Sequence, residues 1–289
     1  EDGIRDLVLS LVGSEMCIRD RLFGGDPGKR AGLVRLASWF NQDRGVVTVC
    51  RLVVGDLDKL REVDRIRNEM DRELEEAGVV AFPEVDVVSD FETGVLDVAQ
   101  ANGIAGLHCN TVMFGWSRQK ARLESQLRIM RAMSYAGKNT IITRLNWAHE
   151  PGSEKRVDIW WGGLQNNGDL MLLLAYLLRL NPEWRNSRIT IRSVARDEEE
   201  RKLQLDGLAK LLPQARIGAE TEVLVKPDDL SITEILHRIS AGADIVFLGL
   251  QEPEHGGESA YADRIIELAE GLNTCIFVRS AGEFAGRLV

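Results

Sequence analysis

Residues 156–180 read RVDIWWGGLQNNGDLMLLLAYLLRL and combine a tryptophan doublet, two adjacent glycines and a long apolar run. The β-branched and aromatic start predicts a strand over residues 157–161, and the apolar run predicts a buried helix. Between them, GGLQNNGD has the composition of a tight turn, where glycine provides the required backbone conformations. The longest apolar run, residues 170–178, has nine residues, whereas a membrane-spanning helix needs roughly 20. The stretch therefore predicts a strand, a turn and a helix of an α/β domain.

The same alternation of strands and helices continues on both sides of this stretch. Amphipathic segments such as residues 118–136 and 231–240 predict crossover helices, and Ser231 with Glu234 forms a capping-box pattern at the start of the second. The alternation predicts an α/β fold in which a mostly parallel sheet is flanked by helices. Nine candidate strands lie at residues 46–54, 84–88, 111–115, 140–145, 157–161, 188–194, 220–226, 244–250 and 274–279.

A sequence repeat divides the chain into two halves. NTVMFGW begins at Asn110, and NTIITRL begins 29 residues later at Asn139. DIVFLGL begins at Asp244, and NTCIFVRS again begins 29 residues later, at Asn273. The shared spacing and the shared residues at both ends of it predict two tandem copies of one α/β unit.

The boundary between the two halves is predicted near HEPGSEK at residues 149–155, where proline and glycine interrupt the pattern. The first half then covers residues 22–148 and the second covers residues 149–289. The second half begins with a strand at residues 157–161, whereas the first begins with a helical pattern at residues 33–40. We therefore expect the first half to lack its opening strand.

Residues 1–21, EDGIRDLVLSLVGSEMCIRDR, are expected to be non-native. They contain no initiator methionine, basic start or cleavage site, so they do not form a signal peptide. They closely resemble the translated linker sequence found at the ends of assembled sequencing reads, and the alternative is a real but poorly ordered terminus. These residues are therefore left out of the fold prediction.

Composition and charge argue against several functional classes. With 44% hydrophobic residues among 289, the chain can bury one large core or two of ordinary domain size. The formal net charge of −9 repels nucleic acid and anionic lipid headgroups, so no nucleic-acid partner is expected. Cys17, Cys50, Cys109 and Cys275 show no CxxC spacing, which predicts reduced thiols in a cytosolic environment.

Neither a metal site nor a catalytic site is predicted. The four histidines are scattered, and only Glu252, Glu254 and His255 cluster, whereas a metal site needs several converging ligands. There is no Gly-x-Ser-x-Gly elbow. Asp158 and Asp244 fall near the amino ends of predicted strands, away from the crevice where parallel sheets bind ligands, so we expect capping or surface roles for them.

Phosphate binding is the remaining small-ligand option. GWSRQK, residues 115–120, places a hydroxyl and two basic residues at a strand-to-helix turn, where backbone N–H groups favour anions. The corresponding turn of the second half is LQEPEHGGES, and its carboxylates would repel a phosphate. A nucleotide, if one binds, is therefore expected in the first half, lined by Gly55, Gly115, Ser117 and Arg118.

The adjacent rings of Trp160 and Trp161 do not suit a nucleobase platform. Neighbouring residues of a strand face opposite sides of the sheet, so the two rings cannot stack on one base. We expect them to pack in the core on the two faces of the sheet.

Three blocks of the sequence resemble one protein family. VDIWWGGLQNNGDLMLLLAYLLR, residues 157–179, resembles the central signature of the carboxyl-terminal cytoplasmic domain of cation-chloride cotransporters. In that signature, an Asp-x-Trp-Trp strand leads through a glycine-bearing turn into an apolar helix. GIAGLHCNTVMFGW, residues 103–116, resembles a second block of the family, and ADIVFLGL followed by NTCIFVRS also fits. Together the blocks span essentially residues 22–289.

The resemblance implies two halves that are each like a universal stress protein. It further implies a cytoplasmic regulatory and dimerisation domain, without catalysis of its own, of an amino-acid-permease-like transporter that moves alkali cations with chloride. The expected partners are the transmembrane domain of the same transporter and a second copy of the chain, at the cytoplasmic face of the cell membrane. No cofactor is required, although some family members bind adenine nucleotide in the first half. The alternative function is a free-standing tandem universal-stress-type nucleotide-binding protein.

Overall fold

The computed structural model describes residues 20–25, 27–42, 47–101, 109–146, 155–162, 167–215 and 218–282. Residues 1–19 of the expected linker, most of the predicted boundary segment and the centre of the GGLQNNGD turn lie outside this part of the chain. Cys50, Cys109 and Cys275 are buried, as predicted, whereas Cys17 lies outside the described residues. No helix in the described ranges has the length and apolarity needed to cross a membrane.

The described residues form ten strands and eight α-helices. The strands are β1 (Asp20–Phe23), β2 (Val47–Val54), β3 (Phe82–Val88), β4 (Thr111–Gly115), β5 (Asn139–Arg144), β6 (Arg156–Trp160), β7 (Arg188–Ala195), β8 (Glu220–Val225), β9 (Ile245–Gly249) and β10 (Thr274–Arg279). The helices are α1 (Ala31–Asn41), α2 (Leu60–Glu76), α3 (Phe91–Gln100), α4 (Lys120–Tyr135), α5 (Asn167–Leu180), α6 (Glu198–Ala215), α7 (Ile232–Ser240) and α8 (Glu258–Ala269). All nine predicted strands are present.

The chain divides into two compact units, Glu1–Phe114 and Gly115–Val289. In the first unit the strands follow the order β3-β2-β1-β4, and every pairing among them is parallel. Leu22 of β1 lies opposite Val49 of β2 and Met113 of β4, and all three side chains are fully buried. These apolar contacts place β1 in the centre of the unit.

The presence of β1 corrects the prediction that the first half lacks its opening strand. Leu22 and Phe23 supply the two apolar side chains, and Phe23 stacks on Phe114 with ring centroids 5.6 Å apart. This strand was not predicted because it is only four residues long, begins with two charged residues, and starts inside the segment that was set aside as a linker.

The second unit contains six strands in the order β5-β10-β9-β6-β7-β8. All of its pairings are parallel except that of β5 with β10, which is antiparallel. Because β5 pairs with β10 and α4 packs on α8, the last helix and strand of the first repeat belong to this unit. The predicted boundary near residue 149 is therefore not the boundary between the compact units, which falls after Phe114.

Strand order shows the repeat directly. The first unit has the order 3-2-1-4, and the second has the equivalent order 8-7-6-9. In the first unit Asp20 of β1 lies opposite Thr111 of β4. In the second unit Val157 of β6 lies opposite Ile245 of β9 at the equivalent position. Parallel strands connected by helices in both units confirm the predicted α/β class.

The carboxylate of Asp20 is an unusual feature of this core. Asp20 is 1% exposed, and neither of its oxygens has a hydrogen-bond partner in the described part of the chain. Burial disfavours the charged form and raises the pKa of Asp20 from the ordinary 3.8 to about 8. The folded chain therefore holds this proton more tightly than the unfolded chain, so stability is lost as the pH rises between these two values.

The variant Asp20→Asn removes this ionisation at nearly constant size. We expect the difference in free energy of unfolding, variant minus unmodified chain, to increase by about 1–3 kcal/mol from pH 5 to pH 8. Urea denaturation at several pH values measures the difference. Asp71→Asn, which changes an exposed carboxylate on α2, should show no such trend. Parallel pH profiles for the unmodified chain and Asp20→Asn would contradict the prediction.

Candidate functional site

The predicted phosphate turn connects β4 to α4 in the second unit. The Gly115 carbonyl accepts a hydrogen bond from Gln126 Nε2 at 3.1 Å. Ser117 Oγ accepts one from the backbone N–H of Gln119 at 3.1 Å, and Gln119 is the N-cap residue of α4. Arg118 is exposed, and no partner for its guanidinium is present in the described residues. Lys120 pairs with Asp263 of α8 at 2.7 Å, so Arg118 is the basic side chain of the turn that stays available.

Gly55 follows β2 in the first unit. Its N–H donates to the Val88 carbonyl at 3.0 Å, and a Cβ atom at this position would lie 2.9 Å from Lys59 Cγ. The four predicted nucleotide residues thus divide between the two compact units, Gly55 in the first and Gly115, Ser117 and Arg118 in the second. The nucleotide site remains a prediction.

The acidic turn between β9 and α8 is held by arginines. Arg131 of α4 pairs with Glu258 at 2.6 Å and donates to the carbonyls of Pro253 at 2.8 Å and Glu254 at 3.2 Å. Arg279 of β10 lies 3.4 Å from Glu252. Sequence reasoning missed Arg131, because its partners are more than 120 positions away. The only signal was an arginine beside the buried Met130 and Leu127 of α4.

Backbone donors in the same turn are already engaged. Leu250 donates to the Val278 carbonyl at 2.7 Å, and Gly257 donates to the Glu254 carbonyl at 2.8 Å. The Gln251 N–H donates to Tyr261 Oη at 2.7 Å. A phosphate cradle needs free N–H groups that converge on an anion, so this turn does not provide one. The equivalent donor of the first repeat is engaged in the same way, since the Trp116 N–H donates to the Thr143 carbonyl at 2.8 Å, so the predicted difference between the two repeats rests on charge.

A cavity of about 380 Å³ opens at the carboxyl ends of β6, β7 and β9. Its lining includes Trp160 at the end of β6, Trp161 after it, Ser193 on β7, Gln204 on α6 and Tyr261 on α8. Apolar side chains from α5, α7, α8 and β10 also line it. This position matches the crevice in which parallel α/β sheets bind ligands.

The two tryptophans contact different helices, but the prediction that both pack in the core holds only for Trp160. Trp161 follows the strand, is half-buried, and lines the same cavity as Trp160. Trp160 Nε1 donates to Ser240 Oγ of α7 at 3.0 Å, and the side chain is buried. The Trp161 ring lies over Gly168 in the first turn of α5, where a Cβ atom would overlap the ring. Gly168 therefore permits the close approach of this indole to the helix.

A buried ionic network lies beneath Trp160. Asp158 is 1% exposed, accepts a hydrogen bond from Ser240 Oγ at 2.7 Å, and pairs with Arg192 Nε at 3.0 Å. Arg192 also pairs with Glu222 of β8. The expected capping or surface role of Asp158 is thus wrong, because its charge partner on β7 allows it to be buried inside the sheet. Asp244 does cap, since its carboxylate accepts the Arg156 N–H at 2.6 Å.

In the described ranges, no three His, Cys, Asp or Glu side chains are placed to hold a metal ion. The cluster of Glu252, Glu254 and His255, for which no metal site was predicted, does not form such a group.

Comparison with protein families identifies one match. Residues 117–230, which are 114 of the 289, match the model of solute carrier family 12. This segment runs from the turn after β4 to a point two residues before α7 begins, and it contains the tryptophan doublet and the Asp158–Arg192 pair.

Solved structures with a similar fold extend along nearly the whole chain. The cytoplasmic domain of a prokaryotic cation chloride cotransporter aligns with a TM-score of 0.65 and 17% identity, over 92% of this chain and 96% of that one. A universal stress protein from Archaeoglobus fulgidus DSM 4304 aligns with a TM-score of 0.51 and 14% identity, over 91% and 97% of the two chains. A putative universal stress protein from Pseudomonas aeruginosa UCBPP-PA14 gives 0.53 and 13%, over 91% and 94%. The predicted resemblance to the cotransporter family and to universal stress proteins is confirmed.

Substitutions of two arginines of β7 test how much the buried network contributes to the free energy of unfolding. Arg192→Met would leave the buried Asp158 carboxylate without its nearest charge partner, so we expect a loss of about 3–5 kcal/mol in the free energy of unfolding. Arg188→Met is the matched control, because Arg188 pairs with Glu220 of β8 but both side chains are more than half exposed. That change should cost less than about 1 kcal/mol. Urea denaturation measures both.

A double variant separates charge from packing. Adding Asp158→Asn to Arg192→Met removes the stranded charge, so part of the lost stability should return. Equal losses in the two single arginine variants, or no recovery in the double variant, would show that the network is not the source of the stability.

Proposed function

Because residues 117–230 match solute carrier family 12, we propose that this chain is the cytoplasmic regulatory and dimerisation domain of a cation-chloride cotransporter of the amino-acid-permease-like type. The observation that carries the proposal is the family match, together with a fold likeness that covers 92% of this chain and 96% of a cotransporter cytoplasmic domain. The second observation matters because it accounts for both compact units, whereas the family match lies within the second.

The transmembrane domain of the same transporter is the proposed partner, which places the chain at the cytoplasmic face of the cell membrane. Regulation of this kind is conformational. A folded body that contacts the membrane helices differently in two transport states shifts the equilibrium between those states by the difference in contact free energy. The second unit suits this role, because β5–β10 pairing and α4–α8 packing join elements of both repeats into one body. No catalysis by the chain itself is proposed.

A free-standing tandem universal-stress-type nucleotide-binding protein is the second candidate function. It is supported by the fold likeness to two universal stress proteins, each over 91% of this chain. The turn after β4 also supports it, since Arg118 stands available at the start of a helix.

Dimerisation is tested by analytical ultracentrifugation. At tens of micromolar we expect a species of about twice the 32.2 kDa chain mass. The cysteines that the structure describes are buried, so we expect the same species with and without a reducing agent. A single 32.2 kDa species at these concentrations would contradict the dimerisation part of the proposal.

Calorimetric titration with ATP separates the two candidate functions. The regulatory domain requires no cofactor, so we expect no binding in the micromolar range. A free-standing nucleotide-binding protein would bind ATP in that range and lose the binding in Arg118→Glu. Arg122→Glu is the matched control, because Arg122 is an exposed arginine one turn further along α4. Micromolar binding that is lost only in Arg118→Glu would favour the second function.

A further inference from the structure

Exposed apolar side chains cluster at one end of the first unit. Of the ten large hydrophobic side chains that are exposed in the described part of the chain, four follow or end β2 and β3. We call these four the apolar patch: Val54, Leu57, Leu60 and Phe91. Their exposed fractions range from 37% to 78%. Clusters of exposed apolar residues mark contact surfaces, whereas scattered single ones are ordinary.

Neighbouring strand ends bring the patch together. Val54 ends β2 and lies opposite Val88, the last residue of β3. The Gly55 N–H donates to the Val88 carbonyl at 3.0 Å. The two leucines of the patch follow Val54 within six residues, and Phe91 comes three residues after Val88. Because each residue advances the chain by at most about 3.6 Å, all four stay near the same edge of the sheet.

The fold itself does not require apolar residues at this edge. Counted from the paired strands, the second unit has Arg196, Glu199 and Lys202 at the positions of the three aliphatic members of the patch. All three are charged and exposed. Since the same arrangement of strands accepts charged side chains here, the exposed apolar ones of the first unit indicate a partner that covers them.

Carboxylates surround the patch. The two turns and helix starts that contain it carry five acidic side chains against the two basic ones of Lys59 and Arg61; the five are Asp56, Asp58, Glu62, Asp90 and Glu92. Lys59 is already paired with Glu62 at 2.8 Å. Hydrogen bonds from the side chain and backbone of Thr93 lower the pKa of Asp90, so this carboxylate is charged at neutral pH. The surface therefore combines apolar side chains with net negative charge.

This charge decides between possible partners. The cytoplasmic leaflet of a membrane is itself anionic, so a lipid surface is repelled. A second copy of the same patch would place carboxylates against carboxylates. Cytoplasmic loops of membrane proteins, in contrast, carry an excess of lysine and arginine. A basic segment with an apolar face complements the patch in both charge and polarity.

We propose that the apolar patch binds a basic amphipathic segment from a cytoplasmic loop of the transporter's membrane domain. Apolar side chains of the segment cover Leu57, Leu60 and Phe91. Its lysine or arginine side chains pair with Asp56 and Asp58. This inference rests on the proposed function, which names the membrane domain as a partner, and it adds the contact surface and the chemistry of the segment.

A synthetic peptide of repeated Leu-Lys-Lys-Leu blocks is the probe, and calorimetry with the whole chain is the measurement. We expect saturable binding that is weakened about tenfold in Leu57→Ser, because one leucine is no longer buried by the peptide. Val80→Ser is the matched control. Both side chains are 78% exposed, but Val80 precedes β3 and is not part of the patch. Thermal melting establishes that each variant is folded.

The charge of the surface is tested separately. A peptide with glutamate in place of every lysine should not bind. Asp56→Asn should weaken binding of the basic peptide, and added salt should reduce this difference. The side chain of Asp56 makes no capping hydrogen bond, so its substitution leaves the local structure intact. Asp71→Asn, on the exposed face of α2, should bind as the unmodified chain does.

Several outcomes would overturn the proposal. Among them are no saturation up to about 1 mM peptide, or equal weakening in Leu57→Ser and Val80→Ser. Binding to phosphatidylserine vesicles that is lost in Leu57→Ser would assign the patch to a lipid surface instead. Loss of the dimer in Leu57→Ser would assign it to a second copy. A monomeric chain that still binds the peptide contradicts only the dimerisation part of the proposed function, so the two proposals fail separately.

Discussion

Antiparallel pairing between β5 and β10 is the contact on which the second unit depends. Its register is symmetric with respect to the repeat. Ile141 lies opposite Val278 and Arg144 lies opposite Cys275, and in the repeat Ile141 corresponds to Cys275 and Arg144 to Val278. The pairing brings α4 against α8, which places Arg131 on the β9–α8 turn. It also brings Arg144 to the end of α8, where its guanidinium donates to the carbonyls of Ala269 at 2.8 Å and Leu272 at 3.0 Å. One edge-to-edge contact between the repeats thus positions the side chains that restrain the second repeat.

The two repeats use equivalent positions for different chemistry. In the second repeat, Asp158 on the first strand and Glu222 on the third flank Arg192. In the first repeat, Arg21 is on the first strand, pairs with Glu84 on the third at 2.6 Å, and leaves the neutral Cys50 between them. Both arrangements pair opposite charges within the sheet, and each contains one arginine. The turns differ in the same way, because Arg118 of one repeat corresponds to Glu252 of the other. A shared backbone therefore does not imply a shared ligand.

Sequence patterns predicted the features that depend on local order. All nine expected strands and the capping box at Ser231 follow from side-chain period and local hydrogen bonding. The features that these patterns did not predict depend on partners far along the chain. Asp158 is buried because Arg192 arrives from the neighbouring strand, and Arg131 restrains a turn more than 120 residues away. The boundary of the compact units was missed for the same reason, because it is set by strand pairing. The cavity has no sequence signature, since helices and strands from the whole second repeat form it.

Trp160 connects the cavity to the ionic network. Its ring lines the cavity, its Nε1 donates to Ser240, and Ser240 donates to Asp158, which pairs with Arg192. Because the Ser240 hydroxyl accepts from Trp160 and donates to Asp158, it is the atom that couples the position of this ring to the buried ion pair.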